Sequence, residues 1–279
     1  MRFGISTHLY HDQKLDYLHL AEIATYGFEA IELFATRSHF DYHDERAVQS
    51  LGQWLADTGL ALNSVHAPIT ERFGAGDVWA PTFSNAVMDA ARRHAAVQES
   101  EVALQIARSI PFNVFVVHLG SPEARKAPGD NSRAAAIRSA EEIGGAAAAV
   151  GVRVAFEVIP NTLSTPASLI EMLERELDAR HAGVCLDFGH AFLGGDIPDA
   201  IETVSEHLIA THVHDNHRRA DEHLVPYRGA IDWDAALTSM QKIGYDGTYL
   251  MELANTGTPG AVLDEARRAR ERFEKALAY

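Results

Sequence analysis

The sequence predicts an eight-stranded α/β barrel, the (β/α)8 fold, as one domain over residues 1–279. Short apolar, β-branched runs alternate with longer stretches rich in Ala, Leu, Glu and Arg, a pattern typical of repeated βα units around a parallel sheet. Six of the apolar runs end in His, Asp or Glu, at intervals that suit successive units of a barrel. The length of 279 residues, 47% of them hydrophobic, is sufficient for one such domain.

Eight strands and eight helices can be placed from this alternation. The strands fall near residues 3–6, 29–34, 61–66, 114–118, 152–158, 183–188, 209–214 and 248–252. The helices fall near 14–26, 43–58, 83–109, 132–150, 166–178, 198–207, 232–243 and 260–277. Several ends carry local signals, because Thr82 and Ser132 can begin helices, Pro166 suits a first helical turn, and Gly59 and Gly151 suit helix ends.

Composition narrows the class of protein. The formal net charge of −15 repels polyanions, so we do not expect nucleic acid as a partner. We expect no membrane contact either, because no apolar run approaches the roughly 18 residues of a membrane span and no basic-then-apolar leader precedes the first strand. The single cysteine, Cys185, cannot form an intramolecular disulfide. These features together predict a soluble, cytoplasmic protein.

The strand ends supply candidate metal ligands. In a parallel barrel all strand C-termini open on one face, so residues that are distant in sequence converge there. A set of three carboxylates and one imidazole from four consecutive strands suits Mn²⁺, Mg²⁺ or Co²⁺, with Zn²⁺ an alternative. Clustered buried carboxylates repel one another unless a cation compensates them. The six strand-end residues are His66, His118, Glu157, Asp187, His212 and Glu252, and the last four form the predicted metal set.

Further ionisable residues follow the sixth and seventh predicted strands. His190 stands three residues after Asp187, on the turn that leaves the strand, from which it can reach the barrel mouth. The segment THVHDNHRRADEH places His212 and His214 on the same face of a strand, so spacing leaves open which of them binds the metal. The loop after His66, through TERFGAGDVWAP, is the longest near the mouth and the best candidate for a lid.

A resemblance to a known family covers nearly the whole chain. The segments that carry it are SVHAP, VVHLGSP, AFEVIPN, VCLDFGHAFLGGD, HVHDN, DEHLVPYRGAIDW and GYDGTYLMEL. Together they resemble the xylose-isomerase-like TIM-barrel superfamily, in particular its sugar phosphate isomerase/epimerase branch. That branch also contains ketose 3-epimerases, hydroxypyruvate isomerases, inosose dehydratases and endonuclease IV.

The resemblance implies roles for individual residues. It implies a metal held by Glu157, Asp187, His212 and Glu252, and it favours His212 over His214 because the family pattern is His followed three residues later by Asp or Glu. It implies that Glu157 and Glu252 also transfer protons during catalysis. Substrate would contact His190, and we assign His66, His118 and His223 to substrate binding as well.

The resulting hypothesis is a metal-dependent isomerase or epimerase that acts through an enediolate on a small polyhydroxy ketone or related carbohydrate. Mn²⁺ is the expected cofactor, and assembly into a homo-oligomer is left open. No Gly-rich phosphate cradle stands out near the last two strands, which favours an unphosphorylated substrate.

Three alternatives remain. One is an inosose-dehydratase-like lyase, in which His118 or His223 would protonate the departing hydroxyl, and another is a sugar-binding barrel without catalysis. The third is an endonuclease IV-like nuclease with three zinc ions, against which the net charge and the sequence HVHD argue. Its nine ligands would correspond to His66, His118, Glu157, Asp187, His190, His212, Asp221, His223 and Glu252.

Overall fold

Eight parallel strands close into a barrel surrounded by helices, which confirms the (β/α)8 TIM barrel. The computed structural model describes residues 2–74, 78–79, 82–177 and 179–278. The barrel strands are β1 (Arg2–Ser6), β2 (Ala30–Phe34), β3 (Ala61–His66), β6 (Val114–Val117), β7 (Arg153–Glu157), β8 (Ala182–Asp187), β9 (Leu208–Val213) and β10 (Thr248–Met251). Their order around the barrel is β1-β10-β9-β8-β7-β6-β3-β2.

Nine α-helices are described in the same part of the chain. They are α1 (Tyr17–Thr25), α2 (Glu45–Thr58), α3 (Ala90–Leu104), α4 (Arg133–Ala149), α5 (Pro166–Arg175), α6 (Phe188–Gly194), α7 (Ile197–Val204), α8 (Trp233–Lys242) and α9 (Pro259–Leu277). Ser132 begins α4, Pro166 opens α5, and Gly59 ends α2 in a left-handed conformation, as the sequence predicts. Ser132 is typical of its position, because a short polar side chain before a helix bonds to the free N–H groups of the first turn.

The third helix is shorter than the predicted span 83–109. Thr82 does not cap it but pairs with Thr70 in an isolated bridge. The backbone before the helix is used for tertiary hydrogen bonds, because Met88 N–H donates to Gly129 and Ser132 N–H donates to the carbonyl of Ala86. The helix therefore begins only after Asp89, whose carboxylate accepts the N–H of Arg92.

A short helix, α6, follows β8 directly and was not predicted from the sequence. The Asp187 side chain caps it by accepting the N–H of His190 at 2.7 Å. His190 thus lies in the first turn of a helix, rather than on an irregular turn, and its position relative to Asp187 is fixed by that bond.

The predicted lid contains a short antiparallel ribbon of β4 (Phe73–Gly74) and β5 (Val78–Trp79). The Phe73 ring packs against His11 and Phe34, with ring centroids 4.6 and 6.0 Å apart. Residues 75–77 and 80–81 of this predicted lid lie outside the described residues.

Alternation along the strands builds the barrel interior in layers. A small apolar cluster of Val114, Val116, Ala155, Cys185 and Ala210 fills the barrel interior before the strand ends, apart from the larger core between the strands and helices. Two residues further along the same strands, the inward-facing side chains become polar, because successive residues of a strand face opposite sides. His118, Glu157, Asp187 and His212 lie at that next level. No described helix is long and apolar enough to span a bilayer.

Candidate metal centre

Four predicted ligands converge above the apolar layer of the barrel. Potential ligand atoms of Glu157, Asp187, His212 and Glu252 all lie within 4.8 Å of one another. His212 Nδ1 faces the three carboxylates, at 3.3 Å from Glu157 Oε2, 3.5 Å from Glu252 Oε2 and 3.9 Å from Asp187 Oδ2. All four residues are buried. His214, the alternative ligand that directly follows β9, belongs to a separate group of ionisable residues on the side of α6.

Two buried atoms in this cluster lack hydrogen-bond partners. They are His212 Nδ1 and Glu157 Oε1. A buried polar atom without a partner is unfavourable by a few kcal/mol, and three carboxylates around one imidazole leave excess negative charge. A divalent cation would satisfy both atoms and offset that charge, so the residues fit such an ion. Oxygen-rich sets with one nitrogen suit Mn²⁺ and its neighbours.

Burial and charge act in opposite directions on the Glu157 carboxyl. Burial favours its neutral form, but the imidazoles of His118 and His212 outweigh burial and hold the pKa of Glu157 well below its usual range. Burial likewise opposes ionisation of Asp187, and the charges of His190 and His214 lower its pKa overall. Both carboxylates are therefore ionised around neutral pH and available to a cation.

A second group shares Glu157 with two histidines from neighbouring strands. His118 Nε2 lies 3.0 Å and His66 Nε2 3.3 Å from Glu157 Oε2, and the two ring nitrogens are 3.3 Å apart. The structure therefore divides the six strand-end residues between two groups joined by Glu157, where the sequence suggested one shared site.

A third group lies on the side of α6. Asp221 is 3.1 Å from His190 Nε2 and 3.3 Å from His223 Nε2. His214 completes the group, stacks on the His223 ring at 4.0 Å between centroids, and donates from Nε2 to Asp187 at 2.9 Å. The position of the His214 ring requires Gly189, because a Cβ there would overlap it.

Two of the four residues assigned to substrate binding, His118 and His223, lie toward the open side of these groups. The His118 and His223 side chains are 16% and 15% exposed, and Asp221 is 38% exposed, while His66 and His190 are buried. The predicted residues are thus brought together at one mouth, with a solvent-accessible edge through which a small molecule can enter.

Sequence reasoning missed Glu32. It lies in β2, fully buried, and accepts hydrogen bonds from Ser6 Oγ at 3.1 Å, Ser64 Oγ at 2.9 Å and His212 Nε2 at 3.0 Å. Burial opposes ionisation of Glu32, but the charge of His212 lowers its pKa overall. A usable signal existed, because Glu32 is the one charged residue of the otherwise apolar strand AIELF.

The fold and this mouth define a class of protein: a parallel α/β barrel with its polar site at the carboxyl ends of the strands. Residues 20–276 match the family described as Xylose isomerase-like TIM barrel. The chain belongs to that family.

Individual proteins are similar to this chain over most of its length. An uncharacterized protein of Methanocaldococcus jannaschii is 27% identical over 263 residues, which cover 91% of this chain and 84% of that protein. The crystal structure of a D-tagatose 3-epimerase-like protein is 24% identical, with a TM-score of 0.78, and the match covers 100% of this chain and 97% of that one. The IolI protein, solved with a bound zinc atom, is 14% identical with a TM-score of 0.77, covering 100% and 98% of the two chains.

Proposed function

We propose that this protein is a divalent-metal-dependent isomerase or epimerase that acts on a small polyhydroxy ketone. The observation that carries the proposal is the position of two glutamates. Glu157 at the end of β7 and Glu252 after β10 stand at opposite ends of an arc of four adjacent strands, with Asp187 and His212 between them. A substrate above the arc would have one carboxylate on each side.

This arrangement suits proton transfer between the two faces of a carbon next to a carbonyl. One glutamate removes the proton, which leaves an enediolate, and the other returns a proton to the opposite face or to the neighbouring carbon. A cation held by Glu157, Asp187, His212 and Glu252 would supply electrostatic stabilisation of the charge that develops on the substrate oxygen. His190, held by the cap bond to Asp187 and oriented by Asp221, would contact a substrate hydroxyl.

The family supports a carbohydrate substrate and a bound metal. A D-tagatose 3-epimerase-like protein shares this fold over the full chain, and the IolI protein of the same fold holds zinc. We propose Mn²⁺ as the working ion, because three carboxylates and one imidazole form a hard donor set. We also propose a cytoplasmic setting, which suits a chain whose single cysteine is free and buried.

The test is solvent deuterium exchange with a panel of unphosphorylated ketohexoses and ketopentoses in the presence of Mn²⁺. We expect product together with deuterium on the carbon next to the carbonyl, because a proton on a carboxylate can exchange with solvent before it is returned. A companion single-turnover measurement uses substrate deuterated at that carbon. Turnover without a primary isotope effect in that step would contradict proton abstraction.

A lyase that loses water from the same enediolate is distinguished by its product. Mass spectrometry shows a mass lower by one water for a lyase and an unchanged mass for an isomerase or epimerase. A dehydrated product would show that the reaction is loss of water and not isomerisation or epimerisation, although both begin with the same proton abstraction.

A second candidate function follows from the number of ligand groups. The three groups around the mouth match the nine positions that the resemblance to endonuclease IV implies, with His214 added. They would suit three cations acting on a phosphodiester. Metal stoichiometry discriminates between the candidates, because one ion per chain favours sugar chemistry and about three favour the nuclease.

A further inference from the structure

We propose that Glu32 positions the metal ligand His212 by fixing its proton on Nε2, which leaves Nδ1 free to bind the cation. This inference rests on the metal centre of the proposed function. It assigns a role to a buried carboxylate that is not itself a member of any of the three ligand groups.

The hydrogen bonds around Glu32 determine the tautomer. A carboxylate can only accept, so the 3.0 Å contact between His212 Nε2 and Glu32 Oε2 requires a proton on Nε2. Binding of a cation requires the neutral imidazole, in which the other nitrogen then carries the lone pair. That nitrogen, Nδ1, is the one without a hydrogen-bond partner, and it faces Glu157 and Glu252.

Glu32 is itself held in place as an anion. Ser6 from β1 and Ser64 from β3 donate hydroxyl groups to its two oxygens, so each flanking strand supplies one donor. An ionised carboxylate buried at 0% exposure is unfavourable unless it is paired and hydrogen-bonded. Here both serines and His212 satisfy it, which makes Glu32 a rigid acceptor.

The contact crosses the interior of the barrel rather than joining adjacent strands. Glu32 is on β2 and His212 on β9, and β1 and β10 lie between them in the strand order. The pair therefore spans the barrel interior next to the ligand cluster, and the contact can orient the His212 ring toward the other ligands.

Other histidines at the mouth are oriented differently. Backbone carbonyl groups accept from their Nδ1 atoms: Ala67 for His66, Val158 for His190 and Glu252 for His223. His212 instead has a carboxylate, and not a backbone carbonyl, on the ring nitrogen opposite the one that faces Glu157 and Glu252. An anionic partner raises the basicity of the far nitrogen more than a carbonyl does, and loss of such a partner commonly weakens metal binding by about 10- to 100-fold.

The experiment measures metal binding by the full chain, stripped with chelator and titrated with Mn²⁺ or Zn²⁺ in the absence of sugar. Glu32→Gln keeps an acceptor but removes the charge, and Glu32→Ala removes both. We expect dissociation constants raised about 10-fold by the first change and up to about 100-fold by the second. The matched control is Glu99→Gln, because Glu99 forms a comparable contact with His43 Nε2 at 2.9 Å away from the site.

A spectroscopic measurement separates positioning from general stability. Long-range ¹H–¹⁵N NMR of the Zn²⁺-loaded parent, with the His212 ring assigned by its loss in His212→Gln, should show the proton on Nε2. The NMR measurement does not depend on the folding of Glu32→Ala, because it uses the parent chain.

Several results would overturn the assignment. Unchanged metal affinity in a folded Glu32→Gln variant would do so, and so would a proton on Nδ1 in the loaded parent. Failure of the parent to bind either ion would overturn this inference together with the metal-dependent function. The parent could also bind metal, and the Glu32 variants bind it more weakly as expected, while no sugar is turned over. That result would contradict only the proposed reaction.

Discussion

Individual residues in the arc have separable tasks. Glu157 and Glu252 flank the position proposed for the substrate, whereas Asp187 also caps α6 and accepts from His214. We therefore expect Glu252→Gln to lower kcat at least about 100-fold, the usual contribution of a general acid or base. Asp187→Asn should chiefly lower metal content. Steady-state kinetics and elemental analysis of the same preparations make the comparison.

Glu157→Gln should also abolish turnover and should lower metal content more than Glu252→Gln does, because Glu157 belongs to two ligand groups. Substantial activity in either glutamine variant would contradict the two-glutamate mechanism. Retained metal in His212→Ala, with loss in His214→Ala, would show that the ligand on β9 is misassigned.

The pair of His223 and Asp221 predicts a pH dependence of stability in the metal-free protein. Burial lowers the pKa of His223, but the Asp221 carboxylate outweighs it and raises that pKa to about 9, from an ordinary value of 6.5. A group whose folded pKa is raised contributes stability that is complete below its unfolded pKa and is lost as pH rises through the folded one. The contribution should therefore disappear between about pH 6.5 and 9.

Thermal unfolding of chelator-treated protein across that pH range tests this. The parent should lose stability relative to His223→Gln as pH rises, by an amount on the order of 1 kcal/mol or more. His217→Gln is the control, because His217 lies in the same loop and is 55% exposed. Parallel pH profiles for the parent and His223→Gln would contradict the pairing.

Among single residues, those at strand ends could be predicted from the sequence. For Glu32 the sequence signals only a charged residue in an apolar strand, and not its partner. Strand alternation carries Ala155 to Glu157 and Cys185 to Asp187 on the inner face, so a ligand-type residue in phase with the inward-facing residues of its strand faces the mouth. The partner of Glu32 is on a distant strand, and no local pattern indicates a contact across a barrel. The position of the His214 side chain could not be predicted either, because it depends on the ring fitting over Gly189.

At the scale of elements, the segment between β9 and α8, residues 214–232, is organised by Asp215. Its Oδ1 accepts from the N–H groups of Asn216 and Ile231, and its Oδ2 accepts from Tyr227 N–H and Trp233 Nε1. The segment contains strained backbone, because His223 and Tyr227 both adopt positive φ angles, 46° and 72°. Four bonds to one buried carboxylate hold those conformations.

We expect Asp215→Asn to destabilise the fold by about 2–4 kcal/mol, since an amide NH₂ would face N–H donors and the charge would be lost. It should also raise KM, because this segment carries His223, which is assigned to substrate binding, and Asp221, which orients His190. Chemical denaturation measures the first effect and steady-state kinetics the second. Asp234→Asn, on the exposed first turn of α8, is the matched control and should change stability by less than about 1 kcal/mol. Equal stability of the two variants would contradict the organising role of Asp215.

Elements with strong periodicity could be predicted, while those set by tertiary contacts could not. The short helix α6 has seven residues, including Gly189 and Gly194, and is too short for periodicity to indicate it. The Asp187 side chain caps it. The overlong third helix was predicted because residues 83–89 lack a break signal. Their hydrogen bonds go to Gly129 and Ser132 instead, contacts that only the folded chain creates.

In the molecule as a whole, the net negative charge belongs to the entire chain, whereas the candidate metal ligands are concentrated at the barrel mouth. The formal charge of −15 belongs to the entire chain, whereas most of the titratable groups of the mouth are buried and paired with one another. Arginines of α9 such as Arg267 and Arg268 are engaged by Asp264, so they form an ion-paired helix surface rather than a basic stripe. A long polyanion would therefore meet little compensating charge.

This distribution of charge favours a sugar enzyme over a nuclease. Even three divalent cations would leave the formal charge strongly negative, and duplex binding relies on neutralising phosphates with basic residues. We expect no detectable binding to an abasic duplex at about 0.15 M salt and no strand cleavage with Zn²⁺ or Mn²⁺. Elemental analysis of the same sample should give one tightly bound ion per chain. Saturable binding with incision that disappears in His190→Ala, Asp221→Ala and His223→Ala would instead establish a phosphodiesterase that uses all three ligand groups.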